Sequence, residues 1–506
     1  MLSQHLITKP IFDALFAGHD FAAHNPVSKV MQAMTDALDG HGLDAETQRL
    51  DKFYDSVRLR AEQVVSAEGK QHLIAELYEK FFRTAFKKQS EALGIVYTPT
   101  EVVDFILRAA DHACREHLGH GLTDEGVHLL DATAGTGGLL SVAEERILER
   151  NPQARLRLYG QEINDQSYAI CKSDMLVKGQ DPGNIRVGDT LTDDQFWDRT
   201  FDYCTSNPPF GYSWLGAREA VEKEAMVPGS RFSHGLPGVG DGAMLFLCHL
   251  VHKMRPAHEG GGRAGIVLNG SPLFTGAAES GPSKIRQWLL ESDLVEAIIA
   301  LPTNMFFNTG IATYIWILDN TKRPERQGKI QLIDASSFWT KLRKNLGSKS
   351  REVDAASRDR ILAIYDDFED ADPDLSKVLT ANDFGYWTIT VERPLLDDAG
   401  NPVVDRKRTP KPDTKRRDTE NVPFTYGGNV AGDAGRDATI KAYVAAEVLP
   451  HVPDAWIDEK KTKVGYEIPF TRHFYKYVPP RPLAEIDADL EKQVAKIMEL
   501  LQEVEK

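Results

Sequence analysis

Two consecutive prolines directly after an apolar run constrain this chain most. Phe201-Asp202-Tyr203-Cys204 reads as a buried strand, and Thr205-Ser206-Asn207-Pro208-Pro209-Phe210-Gly211 ends it, because each proline ring locks φ and removes an N–H donor from the ladder. The Pro208 carbonyl is thereby released from sheet pairing. Asn207 adds a side-chain oxygen acceptor beside it, and Phe210 sets a flat apolar ring next to both. Two acceptors converging beside a ring suit a planar aromatic amine, whose hydrogens bond to the acceptors while its base stacks. Asn-Pro also starts ordinary turns, so the reading depends on what lies upstream.

Upstream, strands alternate with helices. Val127-His128-Leu129-Leu130 is a short apolar run ended by Asp131, followed by the small residues Ala132 to Gly138 and a helix from Leu139 to Arg150. Leu156 to Tyr159 ends at Gly160-Gln161-Glu162, and Ile185-Arg186-Val187 ends at Gly188-Asp189. With the strand before Asn207, and with Ala264–Leu268, Val295–Leu301 and Ala312–Leu318, the count reaches seven strands. Polar residues gathered after strand ends indicate an open parallel α/β sheet with its ligand at the carboxyl edge.

The loop from Asp131 to Gly138 has Leu at position 140, so it lacks GxGxxG spacing, and it lacks the Lys-Ser/Thr ending of a P-loop. Phosphate binding is therefore not its first reading. Small residues let the backbone come close to a ligand. Glu162 is placed to accept from two ribose hydroxyls, and Asp189 to accept from an adenine amine. Ribose and adenine without phosphate point to S-adenosylmethionine, held here by Asp131, Thr133, Ala134, Gly135, Thr136, Gly137, Glu162 and Asp189.

The remaining chain sets the context. Leu73, Ile74, Leu77, Phe81 and Ala85 make one apolar helix face, and residues 1–90 read as a helical domain. Gly94 to Pro99 breaks that pattern, and Thr100 caps the next helix. Residues 91–340 form the catalytic block, 341–465 an irregular extension, and 466–506 a C-terminal coiled-coil segment. Val227 to Asp241, with four glycines and Arg231-Phe232, is either a mobile loop over a substrate or a flexible connection. Arg406-Lys407-Arg408, Lys411 and Lys415-Arg416-Arg417 are either solvated surface or a phosphate-binding patch. Leu483, Ile486, Leu490, Val494, Ile497, Leu501 and Val504 make a heptad seam, which either folds back or takes a partner helix.

The four cysteines (Cys114, Cys171, Cys204, Cys248) include no CxxC pair, so reduced thiols and no metal site are expected. No membrane span or secretory start is seen, and a cytoplasmic protein is expected. A net charge of −15 argues against unaided DNA binding, which usually needs a net basic face.

With these residues in place, the chain resembles the modification (M) subunit of type I restriction–modification systems, which are adenine-N6 DNA methyltransferases using S-adenosylmethionine. Tyr97-Thr98-Pro99, the Asp131–Gly138 loop and Asn207-Pro208-Pro209-Phe210 follow one another in the family's order. Leu301-Pro302-Thr303-Asn304-Met305-Phe306-Phe307-Asn308-Thr309-Gly310 and Phe474-Tyr475-Lys476-Tyr477 are also typical. The start of the chain resembles the methyltransferase block of single-polypeptide relatives that carry a nuclease and helicase.

The resemblance implies a Rossmann-like seven-stranded sheet between an N-terminal helical domain and a C-terminal helical tail. It implies cofactor contacts from Tyr97, Thr98, Pro99 and the glycine loop, and adenine capture by Asn207, Pro208, Pro209 and Phe210. The expected partners are double-stranded DNA and a specificity (S) subunit, with two M chains per S chain. No P-loop motif occurs, so translocation or cleavage is expected on a separate restriction (R) subunit. The loop reads Asp-Ala-Thr-Ala where many relatives have proline and cysteine. Alternative readings are cytosine-N4 methylation, glutamine methylation in proteins by an NPPY-type motif, and a non-catalytic DNA-binding component of a defence complex.

Overall fold

The computed structural model describes residues 59, 126–150, 154–178, 180–306, 309–346, 348–428, 433–477 and 482–504. Of the expected N-terminal helical segment only Leu59, helical and exposed, is described; Tyr97, Thr98, Pro99 and Cys114 lie outside the described residues. The chain divides into two compact units, Met1–Pro469 and Phe470–Lys506.

The first unit is organised on one large sheet. All seven expected strands form: β1 (His128–Asp131), β2 (Arg157–Glu162), β3 (Ile185–Val187), β4 (Tyr203–Ser206), β5 (Arg263–Asn269), β6 (Val295–Ala300) and β7 (Thr313–Asp319). Two more, β8 (Lys329–Asp334) and, after β9 (Thr340–Leu346) and β10 (Lys349–Glu352), β11 (Ser376–Thr380), extend one side. The order is β11-β8-β6-β7-β5-β4-β1-β2-β3. The sheet is mixed rather than wholly parallel. β7 lies antiparallel between β5 and β6, and β11 runs antiparallel to β8. β7 enters from the carboxyl edge, because among the described residues between β6 and β7 no crossover helix occurs.

Buried strands read as continuous apolar runs because both faces are covered. β6 is buried along its whole length, and Ile299, Ile315, Ile317 and Ile333 share a core with Ile361, Ile364 and Tyr365 of the helix Ala355–Asp367. Helix α1 (Gly138–Arg150) follows β1, α2 (Asp165–Val177) follows β2, and both α3 (Arg218–Ala225) and α4 (Ala243–Lys253) lie between β4 and β5. Residues 243 to 250 of α4 are all buried, which suits a helix that is apolar nearly all round.

The amino edge of the sheet is pinned by a buried ion network. Arg263 at the start of β5 meets Glu296 of β6 at 3.1 Å and Asp319 at the end of β7 at 2.6 Å. Arg326 lies 3.4 Å from Glu296, and the Tyr365 hydroxyl donates to the same carboxylate at 2.7 Å. Burial would raise the Glu296 pKa, but Arg263 and Arg326 outweigh it and hold the carboxylate below its usual range.

Residues beyond 341, which the sequence presents as irregular, are largely ordered into elements. β9 and β10 make a hairpin, and β12 (Gly385–Glu392) pairs with β13 (Asp418–Pro423), β14 (Trp456–Ile457) and β15 (Lys463–Tyr466) in a second sheet. Arg286, on the helix Gly281–Glu291, ties that sheet to the segment after β5, its guanidinium donating to the carbonyls of Tyr466, Pro272 and Thr275. In the second unit Leu483–Val504 is one helix, along which Leu483, Leu490, Val494 and Ile497 are exposed.

Candidate functional site

The carboxyl ends of β1, β2, β3 and β4 converge on a cleft lined by Thr133, Gly135, Glu162, Asp189, Asn207 and Pro209, all singled out from sequence. Gln161, Ile163, Asn164, Ser167, Thr190, Tyr212 and Phe246 complete the wall.

Glu162 organises the glycine loop. Its Oε2 accepts the Gly135 N–H at 2.9 Å, and its Oε1 accepts the Asn164 N–H at 2.8 Å. Asn164 in turn caps α2, its Oδ1 accepting from the Ser167 N–H at 3.0 Å. Each carboxylate oxygen has two lone pairs, so Glu162 retains acceptor capacity beyond the backbone N–H groups of Asn164, Gly135 and Ile163. Burial raises its pKa, partly offset by the N–H groups of Asn164 and Gly135. Asp131 is not among the cleft-lining residues; it is buried, its Oδ1 accepts from the Thr133 N–H at 3.0 Å, and burial pushes it up to about 7.

The loop glycines differ in role. Gly135 has φ +54 and faces open space, so its backbone is exposed to whatever fills the cleft. Gly137, at φ +86, lies against helix α2, where an added Cβ would stand 2.9 Å from Cys171 Sγ. Gly137, Ala134 and Thr136 therefore shape the loop without lining the cleft.

Asp189 Oδ1 accepts the Leu191 N–H at 2.9 Å, which leaves its second oxygen for a ligand. Thr190 donates to the Ala132 carbonyl at 2.6 Å, locking this loop to the glycine loop. The glycine loop is also tied to the motif strand: Ala132 N–H donates to the Thr205 carbonyl at 3.0 Å, and the Thr133 and Ser206 hydroxyls share a bond of 2.7 Å.

Asn207 is buried at the cleft wall beside Pro209, whereas Pro208 and Phe210 are not among the lining residues. The Phe210 ring sits edge-on to Phe306, with centroids 5.6 Å apart. Tyr212 and Phe246 supply the aromatic wall instead, 6.2 Å apart, and burial together with Asp189 raises the Tyr212 pKa. No periodicity marks either residue in the sequence. The nearest signal for Tyr212 is its place just after Gly211, which turns the chain at φ +64.

The Val227–Asp241 stretch is anchored by Arg231. This buried guanidinium pairs with Glu224 at 2.6 Å and donates to the carbonyls of Thr190 at 2.7 Å and Leu191 at 3.1 Å. It also donates to His249 Nδ1 at 2.9 Å, since burial and the adjacent Arg231 and Lys253 keep that imidazole neutral. The loop thus braces the Asp189 side of the cleft.

Residues 69–385, which contain this whole cleft, match the family N-6 DNA Methylase. The chain belongs to the N-6 DNA methylase family. The residues before this N-6 DNA methylase region, 1–69, match the coupler domain of the Type ISP restriction-modification enzyme.

The chain is 25% identical over 305 residues to the Type I restriction enzyme MjaIX methylase subunit of Methanocaldococcus jannaschii, covering 59% of this chain and 50% of that one. It is 30% identical over 297 residues to the MjaVII methylase subunit of the same organism, covering 56% and 46%. The chain thus spans about half the length of the curated relatives it matches.

Its fold is similar to that of a type I restriction-modification system methyltransferase subunit from Streptococcus thermophilus, with TM-score 0.52 and 24% identity over 66% of this chain and 65% of that one. It is also similar to the ATP-dependent Type ISP restriction-modification enzyme LlaBIII bound to DNA, with TM-score 0.52 and 24% identity, covering 72% of this chain and 27% of that one.

Proposed function

We propose that this chain transfers a methyl group from S-adenosylmethionine to the N6 amine of an adenine flipped out of double-stranded DNA, as the modification subunit of a type I restriction–modification system. The observation that carries the reading is the single cleft lined together by Glu162, Asp189, Asn207 and Pro209.

The donors suit S-adenosylmethionine. Glu162 keeps acceptor capacity beyond its backbone bonds, Asp189 keeps one oxygen, and Gly135 presents bare backbone. When bound, this cofactor supplies an electrophilic methyl on a sulfonium sulfur. Glu162 would hold the ribose hydroxyls and Asp189 the cofactor's adenine amine. Asp131, Thr133, Ala134, Gly135, Thr136 and Gly137 would shape the loop around it, and Tyr97, Thr98 and Pro99 would complete the contact.

The exocyclic amine of adenine is a weak nucleophile because its lone pair is delocalised into the ring. Asn207 Oδ1 and the Pro208 carbonyl would accept the amine's two hydrogens, favour a pyramidal nitrogen and aim its lone pair at the methyl group. Pro209 would hold that carbonyl in place. Orientation and oriented dipoles then carry the catalysis. A base inside a duplex cannot reach the cleft, so it must flip out; at the mouth, Phe210 would stack on it with the part of its ring that Phe306 leaves exposed.

Glu162→Ala removes charge-assisted bonds worth about 1.5–3 kcal/mol. Calorimetry should show S-adenosylmethionine affinity reduced by at least about tenfold. Unchanged binding by a folded variant would remove the cofactor assignment. Mass spectrometry of modified DNA should find N6-methyladenine, and N4-methylcytosine in its place would overturn the choice of base.

The partner proposed is a specificity subunit, with two copies of this chain to one of it. The exposed apolar positions along Leu483–Val504 support a docking helix. Truncation before Leu483 should leave a folded, cofactor-binding protein that no longer co-purifies with that subunit. Retained co-purification would move the interface elsewhere. A restriction/translocase subunit is proposed as a further partner. Among the described residues no helix is long and apolar enough to cross a membrane. The proposed action on DNA goes with a cytoplasmic location.

A further inference from the structure

The connection between β12 and β13 is a closed threefold repeat. Its sequence is three octapeptides in which Pro and Asp recur at fixed places: Pro394 to Asn401 with Asp397, Pro402 to Thr409 with Asp405, and Pro410 to Arg417 with Asp413. The backbone repeats with the same period. Leu396 bridges Pro402, Val404 bridges Pro410, and Pro412 returns to bridge Pro394, which closes a three-sided unit. The hydrogen bonds cycle likewise, from Val403 N–H to the Leu395 carbonyl, from Lys411 N–H to Val403, and from Leu395 N–H to Lys411.

Each repeat turns on its aspartate. Asp397 Oδ1 accepts from the N–H groups of Ala399 and Asn401, Asp405 Oδ1 from Lys407 and Thr409, and Asp413 Oδ1 from Lys415. The three turns are alike in build and unlike in charge. The first carries Asp398-Ala399-Gly400, the second Arg406-Lys407-Arg408, and the third Thr414-Lys415-Arg416.

The cations at the base are paired, Arg417 with Glu392 at 2.8 Å, and Arg393 and Arg416 with Asp454 at 3.0 and 3.8 Å. Among the described residues no ion pair is made by Arg406, Lys407, Arg408, Lys411 or Lys415, and all five are exposed. The acids nearest to them, Asp405 and Asp413, are turned onto backbone N–H groups. Arg408 also sits at φ +62, where the first repeat uses Gly400 at φ +82. A long cation thus occupies a left-handed position that the turn geometry suits to glycine.

We propose that the two basic turns of this unit form a clamp on the phosphate backbone of duplex DNA. In a chain of net charge −15, this is a concentration of unpaired positive charge. The cations stand on separate exposed turns, not around a pocket, which fits a polyanion of repeating charge better than one small anion. Contacts of this kind carry affinity without reading sequence. The proposal rests on the DNA reading above.

The test is binding of a labelled random-sequence duplex by the full-length chain between about 50 and 200 mM salt. The triple variant Arg406→Gln, Lys407→Gln, Arg408→Gln should bind at least tenfold more weakly at the lower salt. The slope of log affinity on log salt should flatten by about 0.9 for each phosphate no longer neutralised. Arg408→Gly should weaken DNA binding while leaving the melting temperature unchanged or higher, which separates loss of the clamp from loss of the fold. Lys329→Gln, which removes an ion-paired cation at the start of β8, should bind as the wild type does.

Unchanged affinity and slope in the triple variant, with the wild type binding duplex, would overturn the clamp and leave the methylase reading intact. A wild type that does not bind duplex would likewise overturn the clamp, which is a contact this chain makes by itself, and would leave the methylase reading to the methylation assay above. Loss of a co-purifying subunit with DNA affinity unaltered would also overturn the clamp and assign the unit to protein docking.

Discussion

Asn207→Ala is expected to lower methyl transfer by about a hundredfold or more while changing S-adenosylmethionine affinity by no more than a few fold. The first figure is the usual effect of removing one oriented polar group that acts on the reacting centre. The second follows because Glu162, Asp189 and Gly135, which line the cofactor side, do not depend on the Asn207 side chain for their bonds. Single-turnover kinetics beside a calorimetric titration would read both quantities. A parallel fall in affinity and rate would mean that Asn207 belongs to the cofactor pocket, and the division of the cleft proposed above would be wrong.

Glu296→Gln is expected to destabilise the fold by about 3–5 kcal/mol, the range for breaking a buried ion network by removing one partner. The loss is large because Arg263 and Arg326 share that carboxylate, and Asp319 alone cannot neutralise both. Against a total stability of about 5–15 kcal/mol, this is a sizeable fraction, and chemical denaturation would measure it. A variant within about 1 kcal/mol of wild type would show that Arg263 and Tyr365 re-pair without cost. Since the network lies at the amino edge, cofactor affinity in the folded fraction should be unchanged.

Much of the site is legible in the sequence because its signals are local. A proline pair ends a strand wherever it occurs, and a carboxylate directly after a parallel strand faces the ligand edge, so spacing alone places Asn207, Glu162 and Asp189. Tyr212 and Phe246 have no such signal, since one follows a turn and the other is indistinguishable from core on a helix that is apolar nearly all round. Phe210 reads as a free stacking surface, but its packing against Phe306 depends on a connection about a hundred residues away, which no local pattern reports. β8 and β11 escape a sequence reading because their flanks are charged and short, and they gain strand character only by extending an existing sheet edge. The octapeptide repeat is hidden by its own prolines. They read as breakers, yet here they sit at bridge positions where no N–H donor is needed.

The hydrogen bonds joining the glycine loop to the motif strand bear on how such a site can change over time. β1 and β4 are adjacent parallel strands with Asp131 opposite Thr205, and the loops that leave them are stitched by the Ala132–Thr205 and Thr133–Ser206 bonds. The gap between the two halves of the cleft is therefore gauged by the interstrand spacing of a sheet, about 4.8 Å, a property of the peptide backbone to which the Thr133–Ser206 hydroxyl bond adds a side-chain tie. Surface helices and partner-binding segments can diverge widely without altering that gauge. Substitutions at Thr133 or Ser206, two small hydroxyl residues outside the expected catalytic set, are the ones that would let it slip.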